Sequence, residues 1–273
     1  MTDTFSHALE NQFRSLRSLI YFESNLRFAR RSIGVIEELA GILIHVAGFA
    51  ALRYLAGAPT HYSMPAIPFM TSGIFAFWML RSNIMQASNF NIAKNRYMVL
   101  PRVTQLDVLT ARCIVNTLLY IGVAMSVFYL FYFLGIGPAP YAPWTLIMIF
   151  CACSLWGYGT GLVLGSVFLF LPVVRTIFGG FTRVLMYTSG IMFIWPEVPY
   201  SFRYIVEKNP LFHMVEFVRE AYFGTYISAM ADPFYVFKWI ILSLALGLVV
   251  ERLCRPYALM STHRGDDADF DTI

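Results

Sequence analysis

Six long apolar runs, separated by short polar or Gly- and Pro-containing segments, dominate the pattern of this chain. They cover Ile33–Ala56, Ala66–Phe90, Val103–Leu134, Pro143–Leu171, Thr176–Trp195 and Phe234–Val250. An α-helix needs about 20 predominantly apolar residues to cross a bilayer, with a range of about 17–25. The segments between the runs contain helix-ending residues: 57–59 (Gly-Ala-Pro), 135–138 (Gly-Ile-Gly-Pro), Pro172 with a turn to Arg175, Pro196, and 232–233 (Asp-Pro). The pattern predicts six transmembrane helices.

A shorter segment between the last two runs predicts a helix that does not span. Residues 209–226 read NPLFHMVEFVREAYFGTY. Asn209 can cap a helix, Pro210 is tolerated at its first position, and Gly224 is a natural stop. The helix between has roughly 14 residues and a length of about 21 Å, which is too short to cross. Its polar side chains, which are costly in lipid, are His213, Glu216, Arg219 and Glu220. We therefore expect this helix at a pore mouth, and the charge distribution described below places it on the outer side.

The N-terminal 32 residues predict an amphipathic helix in the headgroup layer. They lack the continuous apolar core of a signal peptide. Leu9, Phe13, Leu16 and Ile20 recur at helical spacing, and basic residues precede the first apolar run. An apolar stripe with basic flanks is typical of interfacial helices, although a plain solvated helix is the alternative.

Composition places the chain among polytopic membrane proteins. It has 273 residues, 58% of them hydrophobic and 13% charged, with a mean hydropathy of +0.61. Soluble domains carry about 25% charged residues, so a soluble class is excluded. The four cysteines are Cys113, Cys151, Cys153 and Cys254. They fall in or beside apolar runs and lack the spacing of metal ligands, so we expect them to act as small packing residues and to form no disulfides.

The distribution of basic residues predicts that both termini are cytoplasmic. Twelve of the 20 Lys and Arg residues fall on the side that holds the N-terminus, the 91–102 loop, the 172–175 turn and the C-terminal tail. The opposite side holds Arg203, Lys208 and Arg219, and the remaining five lie within apolar runs. The positive-inside rule therefore assigns the first side to the cytoplasm, and an even number of spans agrees with it.

Several polar side chains fall within the predicted spans. Among them are Arg81, Asn83 and Arg183, with Glu37 and Glu38 as candidate partners for the arginines. A charge at membrane depth costs about 2.5–3.5 kcal/mol on insertion scales, so it should face a cavity or a partner. A positively lined pathway and a structural ion pair are both compatible with this pattern.

Two further patterns concern packing and recognition. Gly157, Gly161 and Gly165 recur every four residues, a spacing that lets two helix backbones approach closely, either within the chain or in a dimer. Tyr and Trp residues gather near the ends of the runs. They form an ordinary interfacial belt or, on the outer loop, a surface on which sugar rings could stack.

The motifs of ATP hydrolysis and hydrolytic chemistry are absent. The sequence has no G-x-x-x-x-G-K-[ST], no H-E-x-x-H and no G-x-S-x-G. It also lacks the paired broken helices of many secondary transporters. A transport pathway without its own energy source predicts a partner that supplies one.

Three features resemble the membrane (permease) subunit of bacterial capsular polysaccharide ABC exporters, within the type-two ABC permease class. They are the segment NPLFHMVEFVREA at 209–221, the segment RYMVLPRVTQLDVLTAR at 96–112, and the layout of the whole chain. The resemblance implies an all-α polytopic protein with six transmembrane helices. It adds an N-terminal amphipathic interfacial helix and short re-entrant or periplasmic helices between spans five and six.

The resemblance also implies domains and partners. Residues 1–32 would form the cytoplasmic N-terminus, 33–256 a single six-span permease domain with outer gate helices in 197–232, and 257–273 an acidic, disordered cytoplasmic tail. The chain would form a homodimer with two copies of a cytoplasmic ABC ATPase, which binds ATP and Mg. A periplasmic adaptor of the polysaccharide co-polymerase type and an outer-membrane exporter would complete the assembly. We expect no nucleic-acid partner, no bound metal and no catalytic residue in this chain.

Site residues follow from the resemblance and from the charge pattern. ATPase coupling is assigned to Lys94, Arg96, Tyr97 and Arg102, and substrate access at the interface to Arg27, Arg30, Arg31, Glu37 and Glu38. The channel is assigned to Arg81, Asn83 and Arg183, and the periplasmic gate to Asn209, His213, Glu216, Arg219 and Tyr222.

The predicted function is ATP-driven export of a lipid-linked, acidic capsular polysaccharide across the bacterial inner membrane to the periplasm. The alternatives are export of an O antigen, a teichoic acid or a small drug or lipid, and a membrane assembly scaffold without transport.

Overall fold

The computed structural model describes residues 2–30, 32–55, 57, 60–61, 64–90 and 103–260. Over these ranges the chain is almost entirely helical. The helices are α1 (Thr2–Arg30), α2 (Ser32–Leu55), α3 (Ala66–Ala87), α4 (Gln105–Phe133), α5 (Pro143–Phe170), α6 (Pro172–Thr188), α7 (Tyr200–Glu207), α8 (Pro210–Phe223) and α9 (Pro233–Met260). A 3₁₀ turn covers Trp195–Glu197, and the two-residue strands β1 (Thr60–His61) and β2 (Met64–Pro65) pair antiparallel.

Helix α3 lies at the centre of the bundle. It packs against α2, α4, α5 and α8, and side chains on every face of it are buried. Phe69, Ile74, Phe75 and Leu80 belong to the main hydrophobic core. The helix therefore has almost no surface left for lipid.

Three glycines of α5 allow it to lie directly on α3. A methyl group added at Gly157 or Gly161 would come within 2.7 Å of a backbone carbonyl oxygen of α3, and one at Gly165 within 2.6 Å of the Phe90 ring. On another face, Gly159 meets the backbone of α9, where Gly247 returns the contact at 2.5 Å. Because these approaches are made inside one chain, the glycine repeat serves intramolecular packing.

Within the described ranges, three helices are long and apolar enough to cross a membrane by length and composition: α4, α5 and α9 over Pro233–Tyr257. They carry exposed apolar side chains such as Leu118, Met148 and Leu253, as expected for a surface that faces lipid. Over its described residues the chain is thus an all-α protein with three helices that could span a membrane. The six predicted apolar runs each coincide with one helix, α2, α3, α4, α5, α6 or α9, but the number of spans stays a prediction.

Helix α6 differs from the sequence prediction at both ends. The predicted turn over Pro172–Arg175 is wrong, because α6 begins at Pro172, one residue after α5 ends. The change of direction is made at Leu171, with φ −131° and ψ 78°, and Pro172 fits the first helical turn, where its missing N–H is not needed. At the other end the helix stops at Thr188, so the predicted run to Trp195 finishes as irregular backbone.

Helix α1 packs along α4. Leu16, Leu19 and Ile20 contact a small core cluster with Val108 and Leu109. Phe13 and Tyr21 remain exposed, by 67% and 71%. The helix therefore has one apolar face on the protein and additional apolar side chains on its surface.

Candidate functional site

The short helix α8 begins and ends where the sequence predicts. The Asn209 side chain accepts a hydrogen bond from the Leu211 N–H at 3.0 Å, and Pro210 occupies the first helical position. Gly224 ends the helix in the left-handed conformation, with φ 66°, and its N–H donates to the Glu220 carbonyl. Local capping chemistry thus fixes both boundaries.

Burial around α8 is nearly complete. The helix contacts α3, α5, α7 and α9, and Leu211, Met214, Val215 and Val218 are fully buried. The two charged residues Glu216 and Arg219 are also fully buried. Buried charges are stable only when they are paired and hydrogen-bonded, so the partners of this pair define the site.

Glu216 and Arg219 form an ion pair inside the protein. Arg219 Nη1 lies 3.3 Å from Glu216 Oε1. The second carboxylate oxygen accepts hydrogen bonds from the hydroxyl groups of Tyr226 and Ser228, the latter at 2.8 Å. The carboxylate therefore ties α8 to the loop that leads into α9.

Arg219 also binds the irregular backbone that follows α6. Its Nη2 donates to the carbonyls of Gly190 at 2.6 Å and Ile191 at 2.9 Å, and its Nη1 donates to Phe193 at 2.9 Å. The guanidinium carbon lies 3.8 Å from the centre of the Phe69 ring. The last carbonyls of a helix and those just beyond it have no N–H partner within the helix. The planar guanidinium group of Arg219 provides hydrogen-bond donors for the three carbonyls that follow α6.

Protonation states follow from this environment. Burial lowers the pKa of Arg219 to about 10, while the Glu216 carboxylate opposes that shift. Burial, and then the charge of Glu216, raises the pKa of Tyr226. At neutral pH the arginine is therefore charged and the tyrosine hydroxyl keeps the proton that it donates.

His213 and Tyr222 hold α8 at two further points. The Asp232 N–H donates to His213 Nδ1 at 3.1 Å, so Nε2 carries the ring proton and donates to the Glu207 carbonyl at 2.8 Å. The Tyr222 hydroxyl donates to the Pro138 carbonyl at 2.9 Å. These bonds join α8 to α7, to the start of α9 and to the loop before α5.

The five predicted gate residues therefore come together in space. Asn209 caps α8, and the other four project from it into the protein rather than into an opening within this chain. Their role as a gate stays a prediction. What the sequence alone did not reveal is the set of partners: Tyr226, Ser228 and three carbonyls 26–29 residues upstream. These carbonyls are free because α6 ends at Thr188. The local sequence signal for that end is the Ser189-Gly190 pair, where Gly190 has φ 73°.

The three predicted channel residues are not brought together. Asn83 is buried, and its side-chain amide donates to the Met79 carbonyl at 3.0 Å and to Ser154 Oγ at 3.1 Å, joining α3 to α5. The Arg81 guanidinium lies 4.9 Å from the Trp78 ring centre, and Arg183 is exposed on α6. Their assignment to a channel stays a prediction.

Most of the coupling and access residues fall where the structure gives no description. Lys94, Arg96, Tyr97, Arg102 and Arg31 lie outside the described residues. Four others belong to α1 and α2, but their side chains lie outside the described part as well: Arg27, Arg30, Glu37 and Glu38. In the described ranges, no group of three or more His, Cys, Asp or Glu side chains could hold a metal ion.

Comparison with known proteins gives the chain a context. No protein-family model matches it. It is 26% identical over 255 residues to the polysialic acid transport protein KpsM of Escherichia coli, which covers 89% of this chain and 94% of that protein. It is 22% identical to the capsule polysaccharide export inner-membrane proteins CtrC of Neisseria meningitidis and BexB of Haemophilus influenzae. Each match covers 90% of this chain and 93% of the relative.

These similarities run through the α8 segment and nearly all of the helices described above, since they cover about 90% of the chain. They agree with the apolar, outward-facing helices of the bundle. The chain is a homologue of inner-membrane proteins of capsule polysaccharide export.

Proposed function

We propose that this chain is the transmembrane subunit of an ATP-driven ABC exporter that moves a lipid-linked, acidic capsular polysaccharide across the inner membrane to the periplasm. The observation that carries the proposal is the similarity to capsule export proteins of three genera over about 90% of the chain. A similarity of that extent includes nearly all of the helical bundle rather than one shared segment.

The proposed topology has six spans, formed by α2, α3, α4, α5, α6 and α9, with both termini in the cytoplasm. Three of these helices satisfy the length and apolarity expected of a span. The asymmetric distribution of Lys and Arg supports the orientation. Under this topology α7 and α8 form the outer, periplasmic pair between spans five and six.

The gate proposal for α8 rests on its connections. Arg219 holds the chain that leaves α6, and Glu216 holds the chain that enters α9. A shift of α8 would therefore be transmitted to both neighbouring spans. This is the kind of discrete, packed element that switches between two arrangements in gated proteins.

Energy would come from two copies of a separate cytoplasmic ABC ATPase that bind ATP and Mg, acting on a homodimer of this chain. This follows from the missing Walker A pattern and from the family resemblance. We assign the coupling contact to Lys94, Arg96, Tyr97 and Arg102. Arg27, Arg30 and Arg31 would attract the anionic head of the lipid-linked substrate.

Gene replacement tests the transport proposal. A strain that lacks the gene is complemented with the wild type or with the double variant Arg96→Ala/Tyr97→Ala, and surface and intracellular polysaccharide are measured. We expect the deletion and the double variant to abolish surface polysaccharide and to accumulate it inside, while immunoblots show normal amounts of the variant in the membrane. Arg252→Ala, an exposed arginine of α9 without an assigned role, is the matched control and should export normally. Persistence of surface polysaccharide in the deletion strain contradicts transport.

ATP hydrolysis by the reconstituted complex separates the substrate classes. The chain is purified with the cytoplasmic ABC ATPase proposed as its partner, and hydrolysis is measured with an acidic capsular glycolipid, an O antigen and a teichoic acid. Stimulation by the acidic capsular glycolipid supports the proposal. Stimulation by either of the others alone would assign the chain to that substrate.

A further inference from the structure

An apolar groove lies beside α8 and is not part of the Glu216–Arg219 site. It has a volume of about 670 Å³ and runs between the N-terminal parts of α5 and α9 and the outward side of α8. Its walls include Met148 and Ala152 of α5, Phe217 and Glu220 of α8, and Val236 and Ile240 of α9. Small-molecule sites have similar volumes, about 300–1,000 Å³.

The groove follows the axes of two membrane-spanning helices. Both α5 and α9 begin at this end, because Tyr141 and Pro233 line the same groove. From Thr145 to Ala152 is seven residues, so the groove is about 10 Å long at 1.5 Å per residue. Met148 is 71% exposed beside it. The groove is therefore open on the apolar surface of these two helices, and its upper end, at Tyr141 and Pro233, lies where both helices begin.

Glu220 lies at this groove without a charged partner among the described residues. Its side chain is half-buried and has no hydrogen-bond or ion-pair partner among the described residues. It is also the one charged side chain among the described residues of the lining. A carboxylate in apolar surroundings is costly unless a cation or hydrogen-bond donors reach it.

Two basic residues of the outer segment have other contacts. Arg203 donates to the Val198 carbonyl at 3.2 Å and lies over the Trp195 ring. Lys208 lies over the Tyr204 ring at 3.8 Å. Apart from the Tyr141 and Thr145 hydroxyl groups, the rest of the lining is apolar, so a lipid with a cationic headgroup matches both the carboxylate and the walls of the groove.

We propose that this groove binds a phospholipid whose headgroup ends in a primary ammonium, as in ethanolamine lipids. The ammonium donates hydrogen bonds to the Glu220 carboxylate, and one acyl chain lies along Met148, Ala152 and Ile240. The hydroxyl groups of Tyr141 and Thr145, at the upper end, face the phosphate. A bound lipid of this kind contacts α5, α8 and α9 at once and stabilises their packing.

Native mass spectrometry of the delipidated full-length chain tests the site. Lipids with identical acyl chains and ethanolamine, choline or glycerol headgroups are titrated separately. We expect the wild type to bind the ethanolamine lipid most tightly, because choline has the charge but no N–H donor and glycerol has no charge. Glu220→Gln should weaken ethanolamine-lipid binding about tenfold, the size of one charge-assisted hydrogen bond.

Two variants complete the experiment. Glu207→Gln changes an exposed carboxylate on α7 outside the groove and should leave the lipid preference unchanged. Ala152→Phe fills the groove and should weaken the binding of all three lipids. Unchanged ethanolamine preference in Glu220→Gln overturns the proposal. So does an Ala152→Phe variant that loses self-association but binds lipid normally, because the groove would then be a contact between copies.

Discussion

Removing the Arg219 side chain tests whether the buried ion pair holds α8 in place. In Arg219→Met a chain of similar length stays in the protein, but the charge and all four hydrogen bonds are lost. Polar contacts in membrane proteins contribute about 0.6 kcal/mol each on average between helices, and four bonds of that size give about 2 kcal/mol. Removing one partner of a buried pair typically costs about 3–5 kcal/mol, because the other charge is left uncompensated. We therefore expect a loss of about 2–5 kcal/mol.

The assay is reversible denaturant unfolding of the purified chain in mixed micelles, followed by circular dichroism. Arg203→Met is the matched control, since Arg203 is half-buried and makes a single hydrogen bond to a carbonyl. The double variant Glu216→Gln/Arg219→Met should lose less than the two single variants together, because each single change strands the other group. A single Arg219→Met variant within about 0.5 kcal/mol of wild type, the range of ordinary surface substitutions, would refute the argument.

Three further predictions concern glycines and a buried amide, and each is checked by thermal unfolding. Gly161→Ala should lose about 1–3 kcal/mol by overpacking, because the new methyl would lie 2.7 Å from a carbonyl oxygen of α3, whereas Gly122→Ala, with open space around it, should be neutral or stabilising. Gly224→Ala should destabilise more than Gly135→Ala. Both positions have positive φ and share a strain of about 1–2 kcal/mol, but only at Gly224 would the methyl meet an aromatic ring at 2.5 Å. Asn83→Leu should lose about 0.6–1.7 kcal/mol, the range measured for polar contacts between membrane helices, and no loss would show that its bonds to α3 and α5 are not stabilising.

The sequence predicted best those features that depend on neighbouring residues. Asn209, Pro210 and Gly224 define α8 because capping and φ preference act within one turn. Each of the six apolar runs likewise coincides with a helix, because several of them exceed the length of an ordinary buried helix in a soluble protein.

Contacts between distant segments were beyond the sequence argument. Glu216 and Arg219 suggested a polar mouth, since neither side chain is stable in lipid alone. The structure provides them with each other and with carbonyls from residues 190–193, contacts that depend on how α6 stops. The end of α6 was itself misplaced, because the apolar run continues through the break.

The guanidinium of Arg219 has a mechanical consequence for α6. This helix packs mainly on α5, and several of its side chains, including Ile177 and Val184, are exposed. Its N-terminal end is connected to α5 at Leu171. The backbone that follows its C-terminal end accepts three hydrogen bonds from Arg219 of α8. Helix α6 is therefore coupled to α8 through the backbone that Arg219 binds, and we expect a tilt of α6 to displace α8 as well.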